Sequence, residues 1–371
     1  MTQHTRLNRR HVLQWGLGAA LSKPLWAAPD REQFDVAAGV LARAVDEGQV
    51  QTAVLHASQH GSAVTQHFGK AASNDAMFLL GSISKPICVT ALMTLFDRGE
   101  FRLEDPLTKF VPKFTGEGRE RVTLRQLLTH VSGLPDQLPE NQVLRTNHAE
   151  LSEFVDRAIH TPLLFVPGER YQYSSMGILL ATHVAERISG VDIREFVEQT
   201  VFAPLQMTRS AQGLGQFELG DLVRCQTEHA APESGAGDPS ARDWDWNSLY
   251  WRKLGAPWGG THASAPDIGR FLAEFLNEQG NVVRPETARL MVTNQNETGL
   301  APRGLGFNVG TTAGSPGCSA RTFGHTGSTG TLCWADPKSE TICVVLTSLP
   351  GRAIEPHPRA VAAAHVAAAV E

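Results

Sequence analysis

Stretches with β-type alternation lie at the two ends of this 371-residue chain, and the pattern between them is mostly helical. Near the N-terminus, residues 50–56 and 63–68 flank Gln59-His60-Gly61-Ser62 and read as a hairpin. Near the C-terminus, residues 304–310, 321–325, 329–335 and 341–348 alternate in the same manner. Elements that each carry one apolar face must bury it against one another, so an α+β fold is expected. In it, one sheet unites both ends of the chain and the helical middle, from about residue 101 to 255, is an insertion. Further helices are expected over residues 33–46, 123–130, 177–189, 264–277 and 358–370, with Thr123 and Ser264 as caps. No internal repeat interrupts this scheme.

Where the N-terminal strands give way to the first long helix stands Gly81-Ser82-Ile83-Ser84-Lys85, the one place where a serine precedes a lysine by three residues. Apolar side chains recur at helical spacing over residues 86–98 and Gly99 closes the run, so Ser82 opens the helix at or near its cap. Side chains at i and i+3 share a helix face, which puts Lys85 within reach of the Ser82 hydroxyl. A serine needs a base to become a nucleophile, and an amine serves only when desolvation or a neighbouring cation favours its neutral form. The amide groups free at a helix start also suit an oxyanion. By itself the motif is equally compatible with Ser82 as a simple cap and Lys85 as a surface residue.

Composition narrows the partners. A net charge of −5 with 42% hydrophobic and 19% charged residues describes a globular protein for which nucleic acid is not an expected partner. Residues 1–28 differ from the rest: Arg6, Arg9 and Arg10 precede a mildly apolar segment ending in Ala27-Ala28, similar to a twin-arginine export signal, with a periplasmic or secreted destination and no stable membrane span after cleavage. Five cysteines exclude a disulfide framework. Cys333 and Cys343 would face each other across the turn at residues 336–340 if that hairpin is symmetric about Lys338. The 14 histidines include no HxH or HExxH spacing, and there is no GxSxG elbow, so neither a metal site nor an α/β-hydrolase is expected. No cofactor is implied.

Several segments remain ambiguous on their own. His130 is either a catalytic base or a helix-end residue satisfying local carbonyls. Trp244, Trp246, Trp251 and Trp258 either line a pocket or pack a long loop onto the body. Tyr171 and Tyr173 lie in a loop leading into a helix, a common place for site residues.

Taken in order, Ser82-Ile83-Ser84-Lys85, Tyr173-Ser174-Ser175, Gly259-Gly260 and Gly324-His325-Thr326-Gly327 resemble the serine β-lactamase and penicillin-binding protein superfamily. The likeness is to its class C β-lactamase, D-Ala-D-Ala carboxypeptidase and esterase branch. Leu127 through Leu134 and Pro167-Gly168 are similar to recurrent segments of that family. The resemblance covers roughly residues 33–350. It implies a β-lactamase/DD-peptidase-like fold whose antiparallel sheet is flanked by helices, with residues 29–100 plus 256–371 as one lobe and 101–255 as the other.

It also implies roles. Ser82 would be acylated, Lys85 would take or relay its proton, and Tyr173 would serve the leaving group and the deacylating water. The backbone N–H groups of Ser82 and Ser328 would bind the oxyanion, and Ser175, His325, Thr326 and Gly327 would contact substrate. Ser175 stands where the family usually has asparagine, and His325 where lysine is commoner, which favours esters over β-lactams. The implied function is a secreted serine hydrolase cleaving a carboxylic ester, a D-amino-acid peptide or a β-lactam-like small molecule, including peptidoglycan-related ones. The other reading is an acyl-binding or sensor domain of the same fold that does not turn over.

Overall fold

The computed structural model describes residues 31–368; the export-type segment at 1–28 lies outside them. The two ends of the chain do share a sheet. Strands β1 (Thr52–Gln59) and β2 (Ser62–Gly69) form the expected hairpin. A second, smaller sheet is built from β3 (Phe78–Leu79), β4 (Ser210–Gln212) and β5 (Thr261–Ala263) in the order β3-β5-β4. The C-terminal strands are β6 (Asn308–Val309), β7 (Phe323–Gly327), β8 (Thr331–Asp336) and β9 (Thr341–Thr347). The large sheet runs β2-β1-β9-β8-β7-β6 and every pair in it is antiparallel, so β1 and β9, nearly three hundred residues apart, lie side by side with His56 opposite Val344.

Alternation then sorts side chains to the two faces. Ala53, Leu55, Trp334 and Val345 face the helices Arg31–Asp46 and Pro358–Ala368 and pack with Phe34, Leu41 and Val366. Val54, Cys333, Val344 and Leu346 point the other way, into the larger core with Ile268 and Phe271 of the helix Ala265–Leu276. That helix begins as expected, with Ser264 Oγ accepting from Asp267 N–H and Pro266 in its first turn. The Asp267 carboxylate does not reach back to its cap. It accepts instead from the Arg209 N–H and the Ser210 hydroxyl.

The helix after the serine motif is apolar all round rather than on one stripe. Ser84–Asp97 has every residue from Ser84 to Leu95 buried, because helices of the middle segment, Ser175–Ser189 foremost, pack against it. Those helices include Leu124–Leu128, Asn141–Thr146, Leu151–His160 and Ser175–Ser189. The segment expected as a strand at 304–310 contributes only the two residues of β6. Around it Arg303 and Gly306 turn the chain toward the site.

The cysteine expectation fails on register. Cys333 lies opposite Val344, and Trp334 opposite Cys343. An offset of one residue reverses the face of a side chain, so Cys333 enters the large core and Cys343 the helix-covered one. All five cysteines are free thiols. Alkylation of the unfolded protein without reductant should therefore add five equivalents by intact mass; three equivalents would show a bond that this register forbids.

Buried histidines give stability a pH dependence. Burial holds His56 down at about 4 and His262 at about 3, against an ordinary value of 6.5. A histidine depressed in the folded state stays neutral there and charges in the unfolded chain, so its contribution is intact above about pH 6.5 and is lost as pH falls below it. One unit below that point each costs about 1.4 kcal/mol. The urea midpoint should fall between pH 7.5 and 5, less steeply in His262→Asn; an unchanged slope in that variant would refute the assignment.

Candidate active site

Ser82 lies in a single 3-10 turn, Gly81–Ile83, that leads directly into the buried helix. It is partly exposed, whereas Lys85 is fully buried one turn on. Lys85 Nζ donates to Ser82 Oγ at 3.0 Å and to the Trp258 carbonyl at 2.9 Å. Its third side faces the ring of Tyr173, 4.8 Å from the centroid. Among the described residues no carboxylate lies within ion-pair distance of it. With one proton fewer on the amine, the same 3.0 Å contact would run in reverse, with the Ser82 hydroxyl as donor.

The turn is held against the far end of the chain. Thr329 Oγ1 donates to the Leu79 carbonyl and Thr331 Oγ1 to the Leu80 carbonyl, each at 2.6 Å. Gly81 has φ +58, and a Cβ there would come within 3.1 Å of Ser328 N; a Cβ on Gly327 would lie 2.0 Å from the Leu80 oxygen. Glycine is needed at both positions for the two backbones to approach so closely. Ser328 N–H therefore sits beside the Ser82 turn, and no acceptor among the described residues engages it. The N–H of Ser82 is in a first helical turn, where no intrahelical acceptor exists. Two free donors thus lie by Ser82.

Tyr173 is set by His130. The His130 carbonyl accepts from Gln172 N–H at 2.9 Å, and its Nδ1 accepts from Ser174 N–H at 3.2 Å. The ring stands 4.6 Å from that of Tyr173, centroid to centroid. Since Nδ1 accepts, the proton is on Nε2, which has no partner. His130 adopts φ +63, a conformation costly for a residue with a Cβ, in order to hold the loop from both sides. Neither sequence reading of His130 matches this: it satisfies no helix-end carbonyl, and its ring supports the tyrosine loop.

Arg303 was invisible in the sequence. It is buried, its Nη2 donates to His325 Nε2 at 2.7 Å, and its Cζ lies 5.5 Å from the Tyr173 centroid; it also bonds Asn308. Arginine only donates, so His325 Nε2 must accept, and its Nδ1–H donates to the Thr326 carbonyl at 2.7 Å. Burial first, then Arg303 and Lys85, hold His325 well below its ordinary value. It is therefore a neutral acceptor, and the cations flanking Tyr173 are Lys85 and Arg303. No motif spacing marks an arginine whose partner lies 22 residues on across a strand pair.

A cavity of about 210 Å³ opens in front of Ser82, lined also by Tyr173, Ser175, Ser328 and Thr329. His325, Thr326 and Gly327 are not in its wall: His325 is buried behind Tyr173, and Thr326 is exposed elsewhere. Ser175 donates its hydroxyl to Asp136 Oδ1 at 2.6 Å, and its N–H donates to the same oxygen at 2.9 Å. Trp246, Trp251 and Trp258 line the cavity and are also buried, so both readings of the tryptophan cluster hold; Trp244 only packs. Asp136, Arg145 and Glu233 join them in the wall without any sequence signal.

Comparison with known proteins fits this geometry. The Beta-lactamase family model matches residues 37–368. The chain belongs to that family. Among curated relatives, "Putative D-alanyl-D-alanine carboxypeptidase" of Escherichia coli (strain K12) is 25% identical over 287 residues, covering 70% of this chain and 66% of the relative, just under two thirds of its length. Esterase EstB of Burkholderia gladioli is 31% identical over 192 residues, 45% of this chain and 48% of its own. Among solved structures, EstCE1, "a hydrolase with promiscuous acyltransferase activity", superposes with a TM-score of 0.72 at 21% identity, covering 92% of this chain and 99% of that one. A beta-lactamase-family chain with this fold is related to serine esterases and peptidases.

Arg303 can be tested as a positioning residue. Arg303→Met should lower kcat/KM on an ester by about 10- to 100-fold, the worth of a lost charge-assisted hydrogen bond, and Arg303→Lys should restore part of it. Equal losses in the two variants, or none, would remove the role.

Proposed function

We propose that the protein is an exported serine hydrolase that cleaves a carboxylic ester or amide through an acyl-enzyme on Ser82. The observation that carries this reading is the 3.0 Å contact of a partly exposed Ser82 Oγ with a fully buried lysine that no carboxylate among the described residues pairs. Ser82 Oγ attacks the acyl carbon while its proton passes to Lys85. The carbonyl oxygen, now an oxyanion, sits between the N–H groups of Ser82 and Ser328. Tyr173, between Lys85 and Arg303, delivers a proton to the leaving group, and the C–O or C–N bond breaks. Water then attacks the acyl carbon with Tyr173 as its proton acceptor, the bond to Ser82 Oγ breaks, and Lys85 returns its proton to that oxygen. Residues 101–255 act as the lobe that supplies Tyr173 and, with Trp246 and Trp251, most of the tryptophan wall, and residues 1–28 direct export.

Ser175 supports an ester more than a β-lactam. Its hydroxyl is committed to Asp136, so the position that resembles an amide-binding asparagine offers no free amide group. The relatives named as esterase and as hydrolase point the same way. A domain that is acylated but not turned over is the alternative, and deacylation rate alone separates the two.

Steady-state hydrolysis of a p-nitrophenyl ester should fall by at least about 10³-fold in Ser82→Ala and in Lys85→Ala. Intact mass after brief exposure to benzylpenicillin, run beside Ser82→Ala, should show any adduct on wild type alone. A stoichiometric burst without turnover would establish the acyl-binding alternative, and full activity in Ser82→Ala would end both readings.

A further inference from the structure

The wall of the cavity in front of Ser82 contains one cationic side chain that no step of the acyl-enzyme route uses. Arg145, in the helix Asn141–Thr146, is 4% exposed. Its guanidinium lies flat on the Trp251 ring, with Cζ 3.6 Å from the centroid, and Nη1 donates to the Glu233 carbonyl at 2.7 Å. Nε is buried with no acceptor among the described residues. Nη2 has no acceptor among the described residues, and no carboxylate there comes within ion-pair distance of the group. Glu233 and Asp245 act on it only through space, and burial brings it down to about 10.

An ion taken out of water costs several kcal/mol unless other charges or dipoles replace its hydration. A neighbouring buried arginine is more fully met by the protein: Arg252 donates to the Trp246 and Val223 carbonyls and to Asn247 Oδ1, and only its Nη1 is without a partner among the described residues. Arg145 has one carbonyl, one aromatic face and an open cavity. The missing partner is an acceptor, and a negatively charged one fits a guanidinium best.

The other end of the site offers an acid nothing. His325 is neutral, behind Tyr173, and its free nitrogen is taken by Arg303. Lys85 is engaged by Ser82 and the Trp258 carbonyl. The leaving group belongs beside Tyr173, so the Arg145 corner receives the far end of the acyl chain. Asp136 and Glu233 also border the cavity; Asp136 is held by Ser175, and the Glu233 side chain, next to Arg145, is exposed to solvent at the rim.

We propose that Arg145 binds a carboxylate at the distal end of the substrate's acyl group, so that the preferred substrates are esters or amides of acid-tailed acyl chains such as dicarboxylic half-esters. Only the choice of the acyl side rests on the acyl-enzyme reading. The guanidinium supplies the charge and the donor at Nη2, Trp251 supports it from one side, and the short cavity sets the length of chain between carboxylate and reacting carbonyl. Arg145 is thus a specificity-determining residue.

Binding tests this without turnover. Calorimetric titration of the full-length Ser82→Ala protein with succinate, glutarate and adipate, each beside its diamide, should show at least one diacid bound tenfold or more tightly than its diamide. That preference should vanish in Ser82→Ala/Arg145→Gln and survive in part in Ser82→Ala/Arg145→Lys. Binding of no diacid, equal binding of the diamides, or a preference that persists without Arg145 would overturn the assignment; the first two need no variant at Arg145, so misfolding of that variant cannot mask them. With wild type, mono-p-nitrophenyl glutarate should exceed p-nitrophenyl valerate in kcat/KM by tenfold or more. Hydrolysis of both esters without that preference would defeat the Arg145 role and leave the hydrolase reading standing. Selective diacid binding with no ester cleaved would do the reverse.

Discussion

Two threonine hydroxyls from the C-terminal end of the chain, Thr329 on the Leu79 carbonyl and Thr331 on the Leu80 carbonyl, hold the Ser82 turn against the end of β7. Everything else in the site depends on that seam. It presses Gly81 to within contact of Ser328, bringing two free N–H groups to one spot, and both glycines at the contact are required by the closeness of the backbones. The seam exists because β1 pairs with β9, which brings residues 250 apart to one edge of the molecule. Burial of the helix Ser84–Asp97 behind it then leaves Lys85 no direction in which to point except toward Ser82, the Trp258 carbonyl and Tyr173.

The electrostatics follow from burial of cations without counter-ions. Lys85, Arg145 and Arg303 are all buried, and among the described residues none meets a carboxylate. Each is stabilised by carbonyls, a neutral histidine or an aromatic face. A carboxylate would neutralise the field that these groups impose on the cavity, whereas carbonyls and rings solvate a cation and leave its charge in place. The same field explains why His130 and His325 are neutral: burial is the larger cause, and the neighbouring cations add to it. Neutral imidazoles then serve as acceptors, His325 for Arg303 and His130 for the Ser174 N–H, and so fix the ring of Tyr173.

Much of this could be read from the chain. Alternating apolar residues at both ends and caps at Thr123 and Ser264 are local signals, set by periodicity and short-range hydrogen bonding, and they survive into the fold. The spacing of Ser82 and Lys85 is likewise local, because a helix dictates which side chains share a face. Tyr173 was marked locally only as one of two tyrosines in a loop before a helix, and its choice over Tyr171, like that of Ser328, came through resemblance. The hairpin joining β8 to β9 shows the limit of local reasoning: the turn was evident, but a register offset by one residue separates Cys333 from Cys343 and is chosen by which faces the core needs to bury.

What the sequence determined by itself is the class of fold, the pairing of Ser82 with Lys85, and the family. The tertiary structure alone decided which groups surround them. Arg303, Arg145 and Asp136 carry no motif, and His130 and His325 looked like a base or cap and a titrating cation until their partners were placed. The reason is physical: a side chain's charge state and role depend on what desolvates it and what it bonds, and here those neighbours come from segments tens to hundreds of residues away.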